Sequence, residues 1–232
     1  MIHVDRHDQR YHFRNDWLSA YWHFSFDHYH DPTRTQFGPL RVFNDDTVKP
    51  RSGFPMHPHR DMEIVTVVLA GTLEHEDNQG HRGLLTAGEV QVMSAGTGIV
   101  HAERNPSSTV PLHLLQIWIE PTRRGGRPSW AQAAFAHEAG RGPRIALASG
   151  EGLPGALPIG QAATIYRLKL GPGEAVTHEV SPRRRAYLFV IGGTATLGEH
   201  SLETGDAVRL QGEPVVSLKG TRSADLLLLD LP

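Results

Sequence analysis

The chain has 232 residues, contains no cysteine, and carries 23 lysines and arginines against 25 aspartates and glutamates, a formal charge of −2. This composition excludes disulfides, thiolate metal sites and cysteine nucleophiles, and it argues against nucleic-acid binding by charge. No apolar run reaches the roughly 18–20 residues of a membrane span. The first residues lack the basic and apolar segments of a signal peptide. Because the absence of cysteine also fits a reducing compartment, we expect a cytoplasmic protein.

Short apolar runs, separated by turns rich in glycine and proline, predict β-strands. In chain order the predicted strands are Ile64–Leu69, Val90–Met93, Leu112–Ile119, Ala163–Leu170, Ala186–Ile191, Ala207–Leu210 and Asp225–Leu231. Residues Ser129–His137 follow Pro128 and are predicted to form a short helix. The pattern as a whole indicates an all-β protein made of barrels or sandwiches.

The segment Arg123–Pro128 is predicted to link two similar β-domains, 1–125 and 126–232. Two turn motifs recur in both halves of the chain. These motif pairs are Thr86–Val90 with Glu203–Val208, and Val68–Thr72 with Val190–Thr194. The recurrence indicates an internal duplication, although β-turns that recur by chance would give the same pattern.

Histidine is unevenly distributed, with twelve of the fifteen in the first 116 residues. Because residues two apart on a strand face the same way, His57 and His59 share a face, as do His101 and Glu103. Two such strands inside a barrel would bring three imidazoles and one carboxylate together, a set that suits a divalent first-row metal. The spacing of the other histidines does not demand ligation, and we expect hydrogen-bonded or surface positions for His23, His28, His30, His75, His81 and His113.

Two segments, Gly53–Glu63 and Gly88–Asn105, resemble the paired motifs of the cupin superfamily, with Gly96 where many cupins have proline. The strings His57–Thr66 and Met93–Glu103 closely resemble pirin, and more specifically the bacterial pirin-like bicupins with quercetinase activity. The resemblance is strong over residues 1–120 and weak over 145–232. It implies a bicupin, in which two double-stranded β-helix (jelly-roll) barrels follow each other with few short helices.

The resemblance also implies a ligand set of three histidines and one glutamate, which here are His57, His59, His101 and Glu103. The general cupin pattern would instead use Glu63, which lies an even number of residues from His59 and would then face inward as an alternative or supporting group. We rank Glu103 first because it shares a strand face with His101. The expected cofactor is one divalent transition metal, Fe(II) first, with nickel, copper, manganese or zinc as alternatives.

The second half keeps one histidine of the first cupin motif, His178, and has no His-x-His pair. A single imidazole is a poor anchor for a metal ion. We therefore expect residues 126–232 to form a degenerate cupin domain without a metal.

The resemblance implies a metal-dependent dioxygenase that cleaves a flavonol such as quercetin with O2, releases carbon monoxide and uses Glu103 as the catalytic base. Phe43, Met93 and Trp118 are candidate apolar walls for this aromatic substrate, with packing in the core as an equal alternative for each. Two other functions would use the same ligands. One is a metal- or redox-responsive regulatory protein of pirin type that acts through a protein partner, and the other is a non-redox cupin isomerase or ligand binder. We expect no nucleic-acid or membrane partner.

Overall fold

The computed structural model describes residues 1–135 and 142–232, which form twenty β-strands and one short 3₁₀ helix, His7–Gln9. The strands before residue 136 are β1 (Ile2–Asp5), β2 (Tyr11–Arg14), β3 (Leu18–Trp22), β4 (Leu40–Val48), β5 (Gly53–His59), β6 (Glu63–Ala70), β7 (Thr72–Asp77), β8 (Arg82–Thr86), β9 (Glu89–Ser94), β10 (Ile99–Arg104), β11 (Leu112–Ile119) and β12 (Ser129–Ala134). The strands after residue 141 are β13 (Arg144–Ser149), β14 (Leu157–Pro158), β15 (Thr164–Leu170), β16 (Ala175–Glu179), β17 (Arg185–Leu197), β18 (His200–Glu203), β19 (Ala207–Gln211) and β20 (Val215–Leu231). Within the described residues, no helix has the length and apolar character needed to cross a membrane.

The chain divides into two compact units that are not contiguous in sequence. The first unit comprises Tyr11–Ala136 and Leu157–Gln161, and the second comprises Met1–Arg10, His137–Ala156 and Ala162–Pro232. A simple cut between residues 125 and 126 departs from this division at residues 1–10, 126–136 and 157–161. Strand β1 is hydrogen-bonded to β19 of the second unit, and β12 is hydrogen-bonded to β9 of the first.

The first unit consists of two antiparallel sheets. One has the strand order β12-β9-β6-β11-β4-β3-β2, and the other has the order β5-β10-β7-β8. Alternate residues of the larger sheet face inward, because side chains alternate between the two faces of a strand. The apolar ones form a core that includes Ala20, Trp22, Val48, Val68, Leu112 and Leu114.

The second unit contains the strand order β1-β19-β17-β20-β15-β13, with β16 on β20 and β18 on β17. Its longest strands, β17 and β20, pair with each other, and their register shifts between Val190 and Gly192 and again between Gly193 and Ala195. Such bulges bend a strand and let a sheet curve. Alternate residues of both strands, including Leu188 and Leu228, fill the core. The all-β bicupin prediction is confirmed, and every strand predicted from the sequence is present.

The recurring turn motifs lie at corresponding places in the two units. Thr86–Val90 joins β8 to β9, and Glu203–Val208 joins β18 to β19. Gly71, between β6 and β7, has a φ of 79°, and Gly193 in β17 has a φ of 81°. A Cβ at either glycine would lie within 2.5 Å of the backbone of a neighbouring segment, so both positions need the missing side chain. This shared geometry supports the predicted duplication.

The predicted helix at Ser129–His137 is wrong, because Ser129–Ala134 form strand β12 at an edge of the larger sheet. β12 pairs with β9 along its whole length, and the Trp130 indole donates a hydrogen bond to the Gln91 side chain of that strand. This pairing outweighs the helix propensity of the alanines. His137 lies outside the described residues.

Candidate metal centre

Strand β5 carries the first two predicted ligands. Met56 and Pro58 are exposed on one face, whereas His57 and His59 are half-buried on the other, as the sequence predicts. The Nδ1 atom of His57 lies 2.7 Å from the carbonyl oxygen of Pro55. Because a carbonyl only accepts, Nδ1 carries a proton, and Nε2 is the nitrogen of this ring that can bind a metal.

Strand β10 lies between β5 and β7 and carries the other two predicted ligands. His101 pairs with His57, but the register then shifts, so that Glu103 pairs with Phe54. Between these two pairs β10 advances by two residues and β5 by three, so β5 has one extra residue there. This β-bulge of β5 contains Pro55. His101 and Glu103 are both buried, and both line the cavity described below, which confirms that they share a face.

The three histidines form one cluster whose ligand atoms lie within 4.8 Å of one another. Burial lowers the pKa of His59 to about 4, with a smaller contribution from His57, and burial with the neighbouring histidines lowers that of His101 to about 2. Both rings are thus neutral near pH 7, as metal ligation requires. Both ring nitrogens of His101 are buried without a hydrogen-bond partner. Buried polar atoms are rarely left unpaired, so this arrangement fits a metal ligand.

Glu103 is held by amide and hydroxyl groups of the larger sheet. Its two carboxylate oxygens accept hydrogen bonds from Gln91 Nε2 at 2.5 Å and from Gln116 Nε2 at 2.7 Å. Burial raises the pKa of Glu103 to about 7, although its hydrogen bonds to Gln116, Thr66 and Gln91 act in the opposite direction. Near neutral pH this carboxyl group can therefore both accept and release a proton.

Glu103 is paired with His75 of β7. Its ligand atom forms a second group with His75 and His101, again within 4.8 Å, and all three residues are buried. His101 is common to both groups. His75 was expected to be a hydrogen-bonded or surface residue, and its Nε2 does lie 3.3 Å from Asp77, but its Nδ1 is buried without a partner.

Glu63 is buried but not part of either group. Its carboxylate accepts a hydrogen bond of 2.6 Å from Ser94, and it packs against the backbone of Gly160. The even separation from His59 does not make the two side chains face the same space. Asp61, with a φ of 50°, lies in the turn between β5 and β6, and these strands belong to different sheets, so alternation does not carry across.

A cavity of about 470 Å³ opens onto the cluster, a size common for small-molecule sites. It is lined by His57, His59, His101 and Glu103 together with Asn15, Leu18, Asp27, Asn44, Asp46, Ile64, Gln116 and the aromatic residues Phe13, Trp17, Trp22, Phe26, Phe54 and Trp118. Trp118 is therefore a cavity wall, and its ring meets that of His59 edge to face at 4.8 Å. Phe43 and Met93 were also expected as walls, but both are fully buried and absent from this lining.

Sequence reasoning missed a row of polar residues across the larger sheet. Asn44, Gln116, Thr66 and Gln91 are direct cross-strand neighbours on β4, β11, β6 and β9, and all are buried. We call these four residues the polar row. For three of them the signal was present in the sequence, because Thr66, Gln91 and Gln116 interrupt the apolar runs that predicted their strands. Such positions are polar only where a partner or a ligand compensates for burial.

Among the described residues, both groups of metal-ligating side chains lie in the first unit. In the second unit, His178 Nε2 lies 2.9 Å from Asp230, and its Nδ1 lies 3.2 Å from Arg144. Arg184 binds Asp230 as well, at 2.6 Å. His178 therefore has a partner on each nitrogen. The expectation that this domain holds no metal stays a prediction.

The architecture and the cluster define the class. Two antiparallel β units, one of them with histidines on paired strands that could hold a metal ion, make the protein a bicupin. The Pirin family matches residues 4–119, and the family described as "Quercetinase C-terminal cupin domain" matches residues 146–231. The chain belongs to the pirin family.

Similar proteins cover nearly the whole chain. A quercetin 2,3-dioxygenase of Escherichia coli K12 is 40% identical over 232 residues, which is 100% of this chain and 99% of that protein. A pirin-like protein of Caulobacter vibrioides is 42% identical over 217 residues, 92% of each chain. The crystal structure of the bacterial pirin YhhW from E. coli in complex with nickel(II) is similar, with a TM-score of 0.95 and 39% identity, over 100% of this chain and 99% of that one.

Proposed function

We propose that this pirin is a metal-dependent dioxygenase that opens a flavonol such as quercetin with O2, incorporates both oxygen atoms into the product and releases carbon monoxide. One observation carries the proposal: the neutral imidazoles of His59 and His101, the latter without a partner on either nitrogen, and a braced glutamate meet at an aromatic-lined cavity. The name of the 40% identical E. coli relative supports the same reaction.

The proposed ligands are His57, His59, His101 and Glu103, and the first expected metal is Fe(II). Nitrogen and oxygen donors also suit nickel, copper, manganese and zinc. The related E. coli structure with nickel(II) supports a divalent ion in a protein of this fold. A bound ion supplies a Lewis acid that lowers the pKa of a coordinated hydroxyl group.

Glu103 is the proposed general base. The flavonol 3-hydroxyl must lose its proton before the ring is attacked by O2, and the Glu103 carboxylate receives that proton. Its pKa of about 7 suits transfer in both directions near neutral pH. Gln91 and Gln116 donate to its two oxygens and limit its rotation, so the remaining lone pairs keep a fixed direction.

The cavity walls orient the substrate in this proposal. Six of the lining side chains are aromatic, and flat rings of this kind pack well against a planar polyphenol. Trp118 lies against His59 and closes the wall next to the metal ligands. These apolar surfaces also exclude water from the activated substrate.

The test is turnover of quercetin by untagged protein loaded separately with iron, nickel, copper and manganese, under air and under nitrogen. We expect O2 consumption and equimolar carbon monoxide with at least one metal, and neither product nor carbon monoxide without O2. No carbon monoxide with any of the four metals would contradict the proposed reaction. Oxidation-dependent binding of a protein partner without turnover would favour the regulatory function. Oxygen-independent activity supported by zinc would favour the non-redox cupin.

A further inference from the structure

The orientation of the Gln91 side chain is determined by a tryptophan. The Trp130 indole nitrogen lies 2.9 Å from Gln91 Oε1. An indole N–H only donates, so the oxygen of the Gln91 amide must face Trp130 and its NH2 group must face the other way. That NH2 group lies 2.5 Å from Glu103 Oε1 and 3.1 Å from Thr66 Oγ1.

The same constraint passes along the polar row. Thr66 accepts from Gln91, and its single hydroxyl proton is shared between Gln116 Oε1 at 2.8 Å and Glu103 Oε1 at 3.3 Å, with the shorter contact to Gln116. The Gln116 amide must then present its NH2 group to Glu103 Oε2 at 2.7 Å. The network begins at an indole N–H, which can only donate, and ends at the Glu103 carboxyl group, which accepts from both amides when it is ionised. The indole N–H and the ionised carboxylate thus favour the same orientation of the two amides that hold Glu103.

Trp130 is itself firmly placed. Its ring stacks on His75 at 5.1 Å and on His81 at 5.8 Å, and a Cβ at Gly83 would lie 2.6 Å from it. It lies on β12, between the segments matched by the two families, 4–119 and 146–231. Trp130 itself thus lies outside both matched segments, and the pairing of β12 with β9 places it next to the site.

We propose that Trp130 is a positioning residue for the metal centre, which acts through Gln91 and the Thr66–Gln116 pair to fix the carboxylate of Glu103. This inference rests on the proposed role of Glu103 as a metal ligand and base. Trp130 donates one hydrogen bond from outside the cavity and touches neither the ligand set nor the substrate space. Groups that hold a metal ligand in this way typically contribute about 10- to 100-fold to metal affinity.

The experiment compares Trp130→Phe, Gln91→Met and the double variant, with Gln132→Ala as the control at an exposed position of the same strand. Co(II) is the probe, and its affinity and visible absorption spectrum are measured beside thermal unfolding. We expect Gln91→Met to weaken Co(II) binding about 10-fold or more. Trp130→Phe should weaken it by a smaller factor of roughly 3 to 10 and change the spectrum in the same direction, because one orienting hydrogen bond is lost. The control should leave affinity and spectrum unchanged.

The double variant separates positioning from simple packing. If Trp130 acts through Gln91, Trp130→Phe adds no further loss of Co(II) affinity once Gln91 is methionine. Additive losses, or a Trp130→Phe variant that is less stable but binds Co(II) like wild type, would overturn the inference. A metal-free check uses the Gln91 side-chain amide signal in ¹⁵N spectra. It should shift and exchange faster in Trp130→Phe than in Gln132→Ala, and an unchanged signal would also overturn the inference.

Failure of the inference and failure of the proposed function give different results. Wild-type protein that binds Co(II) at the cluster, shows the predicted coupling and never releases carbon monoxide would contradict only the dioxygenase. Wild-type protein that binds no Co(II) would contradict both.

Discussion

Each unit of the molecule has a buried histidine, and the two histidines differ in how their nitrogens are satisfied. In the second unit, His178 has Asp230 on one nitrogen and Arg144 on the other. In the first unit, His101 has no hydrogen-bond partner on either nitrogen, although it is almost completely buried. We call the cluster of His178, Asp230, Arg144 and Arg184 the closed cluster, because both nitrogens of its histidine have partners. We call the cluster of His57, His59 and His101 the open cluster, because the nitrogens of His101 have none.

The difference is the physical basis for proposing a metal centre in the first unit and none in the second. An unpaired buried imidazole destabilises the fold, so it persists where function requires it. Burial lowers the pKa values of His59 and His101. Both rings therefore stay neutral and keep a nitrogen lone pair that can bind a metal. A carboxylate and a guanidinium group complete the cluster around His178. That cluster needs no ion to be satisfied.

The largest effect is expected from removing two imidazoles of the open cluster. The double variant His57→Ala, His101→Ala should lose stoichiometric metal, because one remaining histidine and a carboxylate do not hold a first-row ion tightly. Metal analysis of the untagged protein measures this loss. The matched control is His178→Ala in the second unit, which should keep the metal content of wild type. Full metal retention by the double variant would refute the proposed site.

The next effect concerns the two glutamates. Glu103→Gln keeps the size of the side chain but removes the base, so kcat for carbon monoxide release should fall by about 100-fold or more at saturating metal. Glu63→Gln should leave kcat and metal affinity close to wild type, because the Glu63 carboxylate binds Ser94. Steady-state kinetics at several metal concentrations distinguish the two variants. The reverse order of effects would make Glu63 the functional carboxylate.

The smallest effect is expected in the closed cluster and concerns stability alone. Burial raises the pKa of Asp230, but its hydrogen bonds to His178 and Arg184 outweigh this, and the net shift is downward. A lowered pKa in the folded state stabilises the fold above the unfolded-state pKa, and this contribution is lost as the pH falls through the folded value. Asp230→Asn should therefore cost about 1–3 kcal/mol of unfolding free energy at pH 7.

The pH dependence of this variant provides the control. The stability difference between wild type and Asp230→Asn should shrink as the pH falls below about 4, because Asp230 then becomes protonated. Chemical denaturation at a series of pH values measures the difference. A constant difference from pH 7 to pH 2 would show that the carboxylate charge has no part in this cluster. Metal content should be that of wild type throughout.

The strands and the histidine cluster were predictable because both follow from strict local rules. β-Branched runs between glycine turns predicted the core strands, and alternation placed His57 with His59 and His101 with Glu103. The family resemblance then supplied the ligand set and the bicupin architecture. The strands and the shared faces follow from residues that are close in sequence. The ligand set and the architecture follow from a matching sequence motif.

The errors came where distant segments decide the structure. Ser129–Ala134 became a strand because β9 offered an edge to pair with, which local helix propensity does not reveal. Glu63 was predicted to face inward because it lies an even number of residues from His59, but a turn between two different sheets separates these residues. The polar row stayed unnoticed because its members are far apart in sequence and meet only through the register of four strands.

The most direct test of the contrast between the units is anomalous diffraction from crystals of the full chain loaded with Ni(II). The account predicts one strong metal peak in the first unit, about 2.0–2.2 Å from nitrogen atoms of His57, His59 and His101, and none beside His178. A peak beside His178, or none at the three histidines at full loading, would contradict it.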